Sequence, residues 1–89
     1  MQTYPVNAAD QLPTLLKAFR QQARLTQGVV AARLGVTQQT YSALERNADK
    51  VSADRLLQLF GILGVEMVLR RKTSGPEEGR QSAVEVPQW

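Results

Sequence analysis

The 89-residue chain contains no cysteine and no histidine. Without cysteine there can be no disulfide, no thiolate metal site and no thiol nucleophile. Without histidine the commonest general base and the commonest transition-metal ligand are missing. No apolar run approaches the roughly 20 residues that a membrane-spanning helix needs. The opening MQTYPVNAADQ has no basic stretch followed by an apolar one, so it does not read as a secretory signal, and a cytoplasmic protein is expected. Aromatic residues are only 6% and hydrophobic residues 43% of the chain, enough for one small core and not for two. Chains this short often gain stability by oligomerising. No phosphate-cradling loop, nucleophile–base pair or metal-binding set is visible, so neither an enzyme nor a cofactor or metal is expected.

What is present is an uneven charge. The formal balance is +3, but residues 1–72 hold ten of the eleven Lys/Arg and five of the eight Asp/Glu, a local balance of +5. Residues 73–89 hold Arg80 against Glu77, Glu78 and Glu85, a balance of −2. A basic body suits a polyanionic partner, and the acidic end does not.

Hydrophobic periodicity predicts four helices. The first spans Gln11 to about Arg24, with Leu12, Leu15, Leu16, Phe19 and Ala23 as its stripe, Asp10 as N-cap and Pro13 in the first turn. The second spans Gln27 to Leu34 between a Thr26 cap and a Gly35 stop. The third spans Gln38 to about Arg46 behind a Thr37 cap, with Tyr41 and Leu44 inward. Asn47 to Lys50 reads as a polar loop. The fourth spans Ala53 to Leu63 between Ser52 and Gly64, with Leu56, Leu59, Phe60 and Leu63 facing the core.

After Gly64 the period changes to two: Val65, Met67 and Leu69 alternate with Glu66, Val68 and Arg70, as in a strand. A lone strand is an exposed edge, and the same strand of a second copy would cover it. Residues 1–64 are thus expected as the folded domain, 65–72 as a dimerisation strand and 73–89 as a flexible tail. That tail ends Val84-Glu-Val86-Pro-Gln-Trp89, which puts the single tryptophan at the last position.

The span Thr26 to Arg46 has the form of a helix-turn-helix. Two short helices joined by Gly35 and Val36 must cross steeply, and Ala31 is small enough to let them approach. The major groove of B-DNA admits one helix, whose first turn then faces base edges. Here that turn reads Thr37-Gln38-Gln39-Thr40-Tyr41-Ser42. A glutamine amide can bond an adenine edge bidentately, and a hydroxyl can bond base or phosphate. Thr26 and Gln27 at the start of the second helix suit a phosphate. Arg33, Arg46 and Lys50 are further candidates for phosphate contact. The expected DNA-binding set is Thr26, Gln27, Thr37, Gln38, Gln39, Thr40, Ser42, Arg46 and Lys50.

Residues 15–63, and above all Leu25 to Glu45, resemble the lambdoid-repressor or Xre family of helix-turn-helix domains. That resemblance implies a mainly α, four- to five-helix lambda-repressor-like domain. It also implies an inward ion pair between Arg20 and Glu45, which would make Glu45 a scaffold residue and not a catalytic acid. The whole chain resembles a narrower group, the HipB-type antitoxins. The likeness lies in Lys17-Ala-Phe-Arg-Gln-Gln22 leading into Leu25-Thr-Gln27, the Gly61-Ile-Leu-Gly-Val65 ending, the following strand and the terminal Trp89. This resemblance implies a homodimer built on Val65, Met67 and Leu69 that represses its own operon by binding operator DNA. It further implies a HipA-like Ser/Thr kinase toxin as partner, with Val86 and Trp89 docking on it. Two other readings stay open: a dimeric Xre-type repressor without a toxin, and a protein-interaction module that does not bind DNA.

Overall fold

The computed structural model describes residues 3–72. Four helices carry the fold: α1 (Leu12–Gln22), α2 (Gln27–Leu34), α3 (Gln38–Arg46) and α4 (Ala53–Leu63). Single 3-10 turns precede α1 at Ala9–Gln11 and α4 at Ala48–Lys50.

Three of the four helix starts follow directly from local hydrogen bonding. The hydroxyls of Thr26, Thr37 and Ser52 accept from the backbone N–H of Val29, Thr40 and Arg55 respectively, which satisfies a donor the helix cannot use. Two helix ends are equally local. Gly35 (φ 84°) and Gly64 (φ 74°) take the left-handed conformation that stops α2 and α4. At the first of these, both Gly35 and Val36 donate to the carbonyl of Ala31 at 2.9 Å.

The first helix differs from expectation at both ends. Asp10 lies inside the 3-10 turn and caps nothing, because a residue already in a helical turn cannot offer its side chain from outside it. Gln11 ties the entry instead. Its Oε1 accepts from Asn7 N at 2.7 Å and Ala8 N at 2.9 Å, and its amide donates to Pro5 O at 3.2 Å. Pro13 sits in the first turn, as its missing N–H favours. The helix ends at Gln22 and not Arg24, because Arg24 takes φ 59°. That conformation is costly for a residue with a Cβ. It lets Leu25 N close back onto Arg20 O at 3.2 Å. Ala23, counted on the apolar stripe, is exposed here for the same reason.

The core is formed by Leu16 of α1, Val30, Ala31 and Leu34 of α2, Tyr41 of α3, and Leu56, Leu59, Phe60 and Leu63 of α4. Leu12, Phe19, Leu25, Val36, Leu44 and Val65 pack around its edge. Helix α2 packs chiefly on α3 and then on α4. The segment Asn47–Lys50, expected as a polar loop, is a turn whose Ala48 is wholly buried. Its small side chain lets the turn close against α1.

No strand forms among the described residues. A strand is defined by the ladder it shares, and residues 66–72 meet none among the described residues. Val65 turns into the core edge and donates to Phe60 O at 2.8 Å. Met67, Val68 and Leu69 are left 48%, 69% and 93% exposed. The expected alternation of Val65, Met67 and Leu69 on one covered face is therefore absent from the single chain. Val86 and Trp89 lie outside the described residues, as does the rest of 73–89.

Candidate nucleic-acid interface

The first turn of α3 stands clear of the body, with Thr37, Gln38, Gln39 and Thr40 all exposed. Their side chains are not equivalent. The Thr37 hydroxyl accepts from Thr40 N at 3.1 Å and donates to Thr40 Oγ1 at 2.9 Å. It is thereby committed to the turn. The Thr40 hydroxyl receives that bond and keeps its own proton to give outward. The amides of Gln38 and Gln39 make no hydrogen bond among the described residues, so each offers a donor and an acceptor together.

Gln38 nevertheless has a neighbour. A Cβ built on Gly28 of α2 would lie 3.3 Å from Gln38 Oε1. The Gln38 side chain thus lies back over the start of α2, in space that the glycine leaves open. This proximity joins the first turn of α3 to the start of α2, where Thr26 caps and Gln27 follows.

Beneath the surface lies a polar knot centred on Glu45, which is 5% exposed. Arg20 Nε donates to Glu45 Oε1 at 2.7 Å and Arg20 Nη2 to Oε2 at 3.2 Å. The Tyr41 hydroxyl donates to Oε1 at 2.9 Å, and the Gln27 amide donates to Oε2 at 3.1 Å. Arg20 Nη1 donates to Leu25 O at 3.0 Å. Burial alone would push the Glu45 carboxyl up, but the hydrogen bonds from Arg20, Tyr41 and Gln27 outweigh it and hold the group below its ordinary value. The Arg20 guanidinium is raised, mainly by its hydrogen bond to Glu45. Burial, reinforced by the bond to Glu45, raises the Tyr41 hydroxyl and keeps it protonated. The knot explains why a residue as large as Tyr41 can sit fully buried: its ring fills the core and its hydroxyl has a charged acceptor.

The knot also changes the reading of Gln27. One of its amide protons is spent on Glu45, so only the carbonyl and the second proton face outward. Ser42 is half-buried, and its oxygen accepts from Arg46 Nη1 at 3.0 Å. Gln27, Ser42 and Arg46 share one open groove of about 640 Å³, floored by Arg20 and Glu45. Lys50, exposed at the end of its turn, does not line it. The opposite wall comes from α1 and includes Lys17, which the sequence pattern assigned no role. Its spacing of three residues from Arg20 was the available signal.

A capped helix with a free polar first turn, braced against a shorter helix through a glycine turn, defines the DNA-binding helix-turn-helix class. Comparison with known proteins carries this further. Residues 16–69 match the Helix-turn-helix family. Antitoxin HipB of Escherichia coli O6:H1 (strain CFT073) is 31% identical over 81 residues, covering 90% of this chain and 86% of that protein. A solved structure of a HipB variant in complex with the O2 20mer superposes with a TM-score of 0.67 at 28% identity, covering 78% of this chain and 96% of that one. The chain belongs to the Xre-type helix-turn-helix family and, within it, to the HipB-type antitoxins. Among the described residues no helix is long and apolar enough to cross a membrane.

Proposed function

We propose that this chain is a homodimeric repressor that reads operator DNA through Gln38 and Gln39 and also binds and neutralises a HipA-like Ser/Thr kinase toxin. The observation that carries the DNA half is the exposed first turn of α3 with two unbonded amides. The likeness to a HipB variant solved in complex with the O2 20mer supports it. Thr26 and Thr37 hold the two helix starts, Thr40 and Ser42 offer hydroxyl protons, and Gln27, Arg46 and Lys50 meet phosphates. The toxin half rests on membership of the antitoxin family. In this reading residues 1–64 are the reading domain, 65–72 pair two copies, and 73–89 carry Val86 and Trp89 to the toxin.

The discriminating experiment measures affinity for the chain's own promoter DNA and for random duplex. Gln38→Ala or Gln39→Ala should lose about 1–3 kcal/mol on the promoter site and little on random DNA. Equal losses on both would remove these residues as base readers. Deleting residues 84–89 should leave promoter affinity intact and weaken binding to a HipA-like kinase. No such weakening would leave a plain Xre-type repressor.

A further inference from the structure

The α1–α3 groove has a one-sided chemistry. Glu45 on its floor is saturated, since its two oxygens receive four hydrogen bonds from Arg20, Tyr41 and Gln27. The Arg20 charge on that floor is matched by Glu45, and the two cancel. What remains to face a ligand is Lys17 and Thr14 on the α1 wall, Ser42 and Arg46 on the α3 wall, and the second amide proton of Gln27 between them. Ser42 oxygen is taken by Arg46, which leaves the hydroxyl proton to donate. Arg46 spends one of its five N–H groups on that bond. Two cations with no carboxylate partner among the described residues and three neutral donors therefore line an open trough, a composition that selects an anion.

The trough's position selects which anion. Ser42 and Arg46 stand about one and two turns along α3 from Gln38, on the helix whose first turn is read as facing base edges. A strand bordering the major groove has to pass the flank of a helix seated in it, and its phosphates supply charge at regular spacing. The trough's openness suits a passing strand better than an enclosed small anion. Resting on the DNA reading above, we propose that this groove is a phosphodiester cleft in which Lys17 and Arg46 hold the operator backbone from opposite walls. Lys17 is a positioning residue: it fixes the register of α3 on the duplex and carries no sequence information.

The test is the salt dependence of binding by the full chain to its promoter duplex and to a random duplex of equal length. Each cation withdrawn should reduce the slope of log affinity against log salt by about 0.9. Wild-type protein should accordingly lose about 3.5-fold more affinity than Lys17→Gln between 50 and 200 mM salt, per copy engaged. The losses should be the same on both duplexes, in contrast to Gln38→Ala. Arg46→Gln should behave alike, Lys17→Glu should exaggerate the loss, and Arg55→Gln on α4 should change nothing. Unchanged slopes for Lys17→Gln and Lys17→Glu, with wild type still binding its promoter, would overturn the cleft alone. A wild type that binds neither duplex would overturn the DNA reading and the cleft with it. Inorganic phosphate added at constant ionic strength should leave the amide signals of residues 14–17 and 42 in place. If it shifts them and displaces the duplex in wild type but not in Lys17→Gln, the ligand is a free anion and the assignment to a DNA strand fails.

Discussion

Replacing Arg20 by methionine would keep most of the side-chain volume and remove the charge that Glu45 faces. The two side chains are 12% and 6% exposed, so solvent can do little to replace the lost partner. Breaking a buried pair from one side costs about 3–5 kcal/mol, because a charge is stranded. Tyr41 and Gln27 would still donate to Glu45, which places Arg20→Met near the lower end, about 3 kcal/mol. For a domain of this size each kcal/mol moves the melting temperature by roughly 4–8 °C, so a fall of about 12–24 °C is expected at fixed protein concentration. Urea unfolding of wild type, Arg20→Met, Glu45→Gln and the double variant closes a thermodynamic cycle, and its coupling should exceed about 1 kcal/mol.

A pH series sharpens this test. In wild type the Glu45 carboxyl is held below its ordinary value. Its stabilisation is therefore complete above the unfolded carboxylate range and lost as pH falls through the lower folded value. In Arg20→Met burial acts with less opposition, the carboxyl rises, and its protonation removes the stranded charge. The two stability curves should thus converge on acidification. A deficit below about 1 kcal/mol that is flat with pH, with coupling near zero, would show that the pair is screened by water and that the knot does not hold the head together.

Three further outcomes follow from the geometry. Gly28→Ala should raise stability by roughly 0.5–1 kcal/mol through helix propensity, yet it should alter promoter-over-random discrimination, because the new Cβ would sit 3.3 Å from Gln38 Oε1; discrimination identical to wild type would show that Gln38 does not rest there. Arg24→Gly should relieve the φ 59° strain and raise the unfolding midpoint in urea, by about 1 kcal/mol of stability, whereas a lower midpoint would mean that the arginine side chain contributes more than its backbone costs. Met67→Pro should turn the proposed homodimer into a monomer by light scattering, since proline removes a ladder donor; an unchanged mass would refute pairing through residues 65–72.

The sequence by itself determined both ends of α2 and α4 and the start of α3 to the residue, and the end of α3 approximately. Their boundaries rest on a hydroxyl within three residues of the N–H it receives, or on a glycine free to turn left-handed at the point of exit. Such interactions are complete within a few residues and need nothing from the rest of the chain. The Arg20–Glu45 pair was reached only through family resemblance, since its partners are 25 residues apart. The Tyr41–Glu45 bond, at a helical spacing of four, could have been read from the sequence and was not. Everything that needed distant parts brought together was decided by tertiary structure. Arg24 accepts a left-handed conformation because packing requires α1 to end there. Ala48 is buried because its turn meets α1. Gln27 turns half inward because Glu45 lies beneath it. The segment after Gly64 forms no strand because no ladder partner lies among the described residues. The head expected at Thr26 to Arg46 thus has its outline from local rules. The groove beside it, with Lys17 on the far wall, exists only because the fold sets α1 alongside α3.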